Sequence, residues 1–255
     1  MANVKPLRVG SMALGRDLTL GAMLAELFGV FVLTTAVLVL QGNPIVAALT
    51  VLILVLMIGG LSGAHVNPAV TVGMWATRQI SWQKAVGYLV AQILGAMLAL
   101  VIVTNFLHGT MVTDQLTGSP TEAKVFKVTA ASDYAKPFFA EAVGALIFGF
   151  GVASAWIGKK ERGSFEYAFT VGGALLVGLF IATIGSSAVI NPAVALGVGA
   201  YQSDKHMMWS FIAYGLAPLL GATIGMWLYR IMQTEDEVLV ETATAEKSKT
   251  SSKKR

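Results

Sequence analysis

A chain of 255 residues that is 55% hydrophobic and only 13% charged, with a mean hydropathy of +0.70, is excluded from the water-soluble domains and belongs with polytopic membrane proteins. It contains no cysteine, which rules out a disulfide framework and a thiolate metal site. The net charge of +4 is modest and gives no ground for a nucleic-acid partner; where the charges fall matters more than their sum.

Residues 1–17 carry Lys5, Arg8 and Arg16 and read as a short N-terminal segment. The first apolar run, 18–40, is close to the ~20 residues a spanning helix needs. It lacks a small-residue cleavage site, and a second run at 44–61 follows at once, so it reads as a retained helix and not a secretory signal. Next comes SGAHVNPAVTVG, residues 62–73. Asn67 is a good helix N-cap, and Pro68 at the first helical position has its φ pre-set, so the motif reads as a helix start through Ala69. Arg78 and Gln79 close that helix too early for it to cross a bilayer.

A third apolar run covers 82–107, and residues 108–136 read as a linker. The fourth and fifth runs, 137–157 and 165–184, lead into VINPAVALG at 189–197, a second copy of the Asn-Pro-Ala core carried by Asn191, Pro192 and Ala193. Residues 202–206 cut this copy short as well, so it too predicts a half-helix. The sixth run is 207–231. Residues 233–255 are acidic and then rich in Lys, Ser and Thr, which predicts a disordered tail, with weak attraction to anionic lipid as the other reading.

Fourteen of the 18 basic residues fall before the first run, between the second and third, between the fourth and fifth, or from Arg230 onward. The exceptions are Lys124, Lys127, Lys136 and Lys205, so the positive-inside rule predicts both termini in the cytoplasm. Six spans with both ends on one side send the two halves, 18–107 and 137–232, through the membrane in opposite directions. The predicted fold is an all-α membrane protein with six transmembrane helices and two re-entrant half-helices in an inverted repeat, forming one domain over 18–232. The half-helix N-termini, each with roughly +0.5 of a charge, would face each other near the midplane, where the asparagine amides offer donors and a cation meets two positive ends.

Two Asn-Pro-Ala copies after the second and fifth spans resemble the aquaporin, or major intrinsic protein, family over nearly all of 18–231. The resemblance implies that Glu26 and Glu141, at matching places in the first and fourth spans, accept hydrogen bonds from the half-helix loops, with Gln92 as a further internal support. It implies that His65 lies near the cytoplasmic half of a pore. Carbonyls of Gly63, Ala64, His65 and Val66 would line the pore from one side, and those of Ser187, Ala188, Val189 and Ile190 from the other. A homotetramer in the plasma membrane, in contact with lipid and passing water or small neutral solutes, is the usual arrangement. Gly87, Gly95, Gly172, Gly173, Gly178, Gly221 and Gly225 need no more than close helix packing to explain them.

The chain departs from the family where selectivity is set. Most members follow the second Asn-Pro-Ala with an arginine; here Val194 stands there. By motif counting, the other filter positions are Ala47, Leu179 and Ala188, so the ring has lost charge, strong donors and bulk together, which predicts a wide apolar selectivity filter and not a strict water filter. The glycerol branch usually has Asp after that arginine, where this chain has Ala195. Tyr214 followed by Gly215 matches neither branch, so the subfamily stays open. The expected function is a passive channel for water and small uncharged solutes of the glycerol, urea or ammonia type. A proton-coupled transporter using Glu26 or Glu141 and a non-conducting structural protein are the alternatives. No catalytic constellation, cofactor motif or metal spacing among His65, His108 and His206 is found.

Overall fold

The computed structural model describes residues 18–106, 111–113, 120–122, 135–158, 161–201 and 207–233. The predicted N-terminal segment, nearly all of the tail, His108, His206 and most of the linker lie outside the described residues. Among them, six helices are long and apolar enough to cross a membrane: α1 (Leu20–Val39), α2 (Pro44–Ser62), α4 (Trp82–Phe106), α5 (Ala135–Ile157), α6 (Phe165–Ala182) and α8 (Met207–Gln233). Two short helices, α3 (Pro68–Ala76) and α7 (Pro192–Gly197), have nine and six residues. At 1.5 Å per residue they reach about 14 and 9 Å, against a hydrocarbon core of about 30 Å.

Local chemistry sets the helix ends. Thr19 caps α1 through the Ala22 N–H, Asn43 caps α2 through the Ile45 and Val46 N–H groups, and Ser164 caps α6 through the Tyr167 N–H. The chain leaves α2 at Gly63, whose φ of 93° is the left-handed conformation that closes a helix and that a side chain would oppose. Large apolar residues such as Leu24, Ile53, Phe169 and Ile224 face outward, while Glu26, Gln92, Glu141, Asn67 and Asn191 are buried. That is the arrangement of a chain dissolved in lipid.

The inverted repeat is visible in the packing. α1 lies along α4, α5 lies along α6 and against α8, and α2 crosses α6 to join the halves. A Cβ on Gly95 of α4 would strike the carbonyl oxygen of Leu27, the residue after Glu26. A Cβ on Gly221 of α8 would strike that of Ala142, the residue after Glu141. Each half therefore brings one helix backbone against the other just beside its buried carboxylate. Gly173, by contrast, has nothing within 4 Å of an added Cβ, so close packing does not account for it.

Two features depart from the sequence reading. Within the linker, β1 (Met111–Thr113) and β2 (Pro120–Glu122) pair antiparallel with Met111 opposite Glu122. Runs of three residues are too short to show an alternating pattern, so the ribbon reads in sequence as loop. The sixth span is not a regular helix either, since Ile212–Leu216 forms a π-helical turn. Pro218 lies just beyond it and has no N–H for the carbonyl four residues back, that of Tyr214. The Tyr201 hydroxyl lies 3.1 Å from this carbonyl oxygen and 3.2 Å from that of Pro192, so its one hydrogen is shared between the π-helical turn and the first turn of α7.

Candidate functional site

The two Asn-Pro-Ala segments start α3 and α7 as the sequence predicts, each with its asparagine as N-cap and its proline at the first turn. Asn67 Oδ1 accepts from the Ala69 N–H at 2.7 Å, and Asn191 Oδ1 from those of Ala193 and Val194 at 3.1 and 3.2 Å. Capping holds both amides in one orientation, with their nitrogens pointing away from their own helix.

Those nitrogens meet the opposite loop. Asn67 Nδ2 donates to the Ile190 carbonyl at 2.9 Å, and Asn191 Nδ2 donates to the Val66 carbonyl, also at 2.9 Å. Each carbonyl thus braces the other half of the protein with one lone pair and keeps a second for a permeating molecule. Each amide keeps one hydrogen for a guest.

The brace requires unusual backbone. Val66 and Ile190 have φ of 40° and 38°, and Ala64 and Ala188 have 50° and 52°. Left-handed φ is rare for β-branched residues and costs about 1–3 kcal/mol at each position unless its surroundings hold it. The buried carboxylates hold it. Glu26 Oε1 accepts from Ser62 Oγ at 2.7 Å and the His65 N–H at 2.9 Å, while Oε2 accepts from the Val66 N–H at 2.7 Å and Gln92 Nε2 at 2.8 Å. Glu141 repeats the pattern, with Ser186 Oγ and the Val189 N–H on Oε1 and the Ile190 N–H on Oε2. The halves differ at one point: the position in α8 that matches Gln92 is Pro218, which has no amide to give.

Above the brace lies a cavity walled by α1, α2, α5, α6 and both loops, lined by Asn67, Asn191 and all four residues assigned to the filter, Ala47, Leu179, Ala188 and Val194. The space that the centre of a water molecule can reach is about 30 Å³, room for two or three waters. His65, Val66, Ser187 and Val189 also line it, whereas Gly63, Ala64 and Ile190 do not. Gly63 lies instead under Trp156, and the Ile190 carbonyl is turned across the midline to Asn67. Neither Glu26 nor Glu141 reaches the cavity wall.

His65 is the polar side chain at its inner end. Its Nδ1 lies 3.1 Å from Thr71 Oγ1, which also receives Gln92 Nε2 at 2.9 Å, while Nε2 is buried without a partner. Sequence reasoning missed Phe148, which enters the wall from α5 and restores some of the bulk absent from the four filter positions. It lies two turns beyond Glu141 on the buried stripe Glu141, Gly144, Ala145 and Phe148, a period that could have pointed to it. The site therefore offers a narrow, mostly apolar passage with two fixed amide donors and two helix N-termini that disfavour cations. Among the described residues, no group of three side chains could hold a metal ion.

A family model described as "Major intrinsic protein" matches residues 18–229. Glycerol uptake facilitator protein-like 6 of Lactiplantibacillus plantarum is 29% identical over 84% of this chain and 98% of its own length. Nodulin-26 of Glycine max is 29% identical over 79% of this chain and 69% of its own. The X-ray structure of the aquaglyceroporin from Plasmodium falciparum superposes with a TM-score of 0.59 at 23% identity, covering 82% of this chain and 94% of that one, a likeness of fold.

Proposed function

The chain belongs to the major intrinsic protein family and is a passive membrane channel for water and small solutes, not an enzyme; from that premise we propose that it admits uncharged solutes of the glycerol, urea or ammonia type more readily than a charged, aromatic filter would. The observation that carries this is the ring of Ala47, Leu179, Ala188 and Val194 in the wall of one cavity with Asn67 and Asn191. A solute crossing the ring exchanges water contacts for apolar wall and nearby carbonyls. Each polar group left unpaired there costs about 1–3 kcal/mol. An apolar wall without a bulky filter residue leaves room for a larger solute, and carbon–hydrogen surface on that solute meets the wall at less cost than water does. The name of the bacterial relative, a glycerol uptake facilitator, agrees with this reading.

Glu26 and Glu141 serve as loop anchors, since every donor named above points at them from a half-helix loop, its flanking serine or Gln92, and neither opens on the cavity. We read the protein as a homotetramer of the plasma membrane, after the habit of the family, with both termini cytoplasmic on the count of basic residues. The test is Val194→Arg in proteoliposomes, with water, glycerol, urea and ammonia fluxes measured. The arginine should lower glycerol relative to water. A wild type that passes water and excludes all three solutes, or a mutant with unchanged ratios, refutes the reading.

A further inference from the structure

The wall of the cavity that holds the filter ring and both asparagines includes His65 but neither Tyr88 nor Trp156, which lie toward the face where Arg162 and Arg230 sit. That face is fixed by contacts. Arg230 donates to the Thr77 carbonyl at the end of α3, the loop bearing Gly163 packs on Gly59 near the end of α2, and Leu18 packs on Gly87 near the start of α4.

Two aromatic rings close on His65 from this side. Tyr88 meets it edge-on with ring centroids 5.1 Å apart, and Trp156 does the same at 5.8 Å. Tyr88 is fixed, being fully buried with its hydroxyl donating to the Ser62 carbonyl at 2.7 Å. Trp156 is only half-buried. Its six-membered ring lies so near Gly63 that a Cβ there would stand 2.7 Å from Cζ3, which leaves a side chain no room under it. From outside, the Arg162 guanidinium lies 4.9 Å over the Trp156 ring.

We propose that Trp156, pressed against His65 and held there by Arg162, is a second constriction of the pore and the one that sets its size limit. The inference rests on the channel reading above. The filter ring is built from small or aliphatic side chains, whereas this end of the passage is narrowed by three aromatic groups. A solute at the bottom of the cavity meets the His65 ring, and Trp156 must swing aside for that solute to leave. Arg162, on an exposed loop, biases Trp156 toward closure through its cation–π contact.

The test measures water and glycerol permeability of the full chain in proteoliposomes for wild type, Trp156→Ala, Trp156→Phe and Arg162→Gln. Trp156→Ala should raise both fluxes, glycerol more than water, because a widened slit relieves the larger solute more. Arg162→Gln should do the same by about two- to tenfold, the population shift carried by one cation–π contact. Trp156→Phe keeps an aromatic edge and should stay nearer to wild type than Trp156→Ala. If Trp156→Ala fails to fold, Arg162→Gln decides, because it empties no buried position. A conducting wild type whose Trp156→Ala and Arg162→Gln forms show unchanged or lower glycerol flux overturns this inference and leaves the channel reading standing. Vesicles bearing any of these proteins that are no more permeable than empty vesicles overturn both.

Discussion

Replacing Glu26 tests whether the carboxylate anchors the first loop. Glu26 accepts four hydrogen bonds, from Ser62, His65, Val66 and Gln92, at a site with no solvent exposure. Glu26→Leu removes the acceptor of the two backbone N–H groups, of the Ser62 hydroxyl and of one of the two Gln92 Nε2 hydrogens, the other still reaching Thr71 Oγ1. Each unmet donor costs about 1–3 kcal/mol, so the total reaches several kcal/mol, comparable to the whole stability of many domains. Glu26→Gln is different. Its carbonyl oxygen can keep the Ser62 and His65 bonds, while its NH2 faces the Val66 N–H and the Gln92 amide. Gln92 Oε1 is itself unpartnered, so turning that amide over converts one of the two clashes into a bond but gives up the one to Thr71 Oγ1. That bond and the acceptor of the Val66 N–H are lost, at about 1–3 kcal/mol each, fewer losses than leucine causes. Because that N–H holds Val66 at a φ of 40°, the loop loses its restraint and the Val66 carbonyl drifts from Asn191. Thermal unfolding in detergent and water flux in vesicles should therefore rank wild type above Gln and Gln above Leu, with Gln folded but slower. A leucine variant as stable and as conductive as wild type, or a glutamine variant as damaged as the leucine one, refutes the anchoring argument.

Gly95→Ala and Gly221→Ala should each destabilise the fold by about 1–3 kcal/mol or more, since the new methyl strikes a backbone carbonyl, while Gly173→Ala should be near neutral; thermal melts of the three variants check this. Tyr201→Phe removes the hydroxyl shared by the Tyr214 and Pro192 carbonyls and should cost about 0.5–1.5 kcal/mol. In a Pro218→Ala background that cost should shrink, because alanine supplies the N–H whose place the tyrosine takes, and a double-mutant cycle with additive losses would sink this account of the π-helical turn.

The spans were legible because lipid demands long apolar runs, and the half-helices because Asn-Pro-Ala is both a cap and a first turn. The carboxylates stood out as ionisable residues inside such runs. What sequence could not give were contacts made across more than a hundred residues. Asn67 and Ile190, or Asn191 and Val66, carry no local mark of their pairing. Phe148 and Trp156 look like any aromatic in a membrane helix; only their placement beside the cavity and His65 singles them out. The π-helical turn had a local sign in Pro218, but its resolution by Tyr201 depends on how α7 meets α8.

The reciprocal amide brace also bears on how such a chain comes to be made. Synthesis delivers the first half to the membrane well before the second, and until Ile190 and Asn191 arrive, the Asn67 amide and the Val66 carbonyl have no partners at bilayer depth. The first loop can be tied to Glu26 during that interval, because Ser62, His65 and Gln92 all belong to the same half. The nascent half is thus ordered along one edge and unfinished along the other. The two polar bonds at the centre need both halves in place, so the amides that face the cavity take their final positions only in the whole chain.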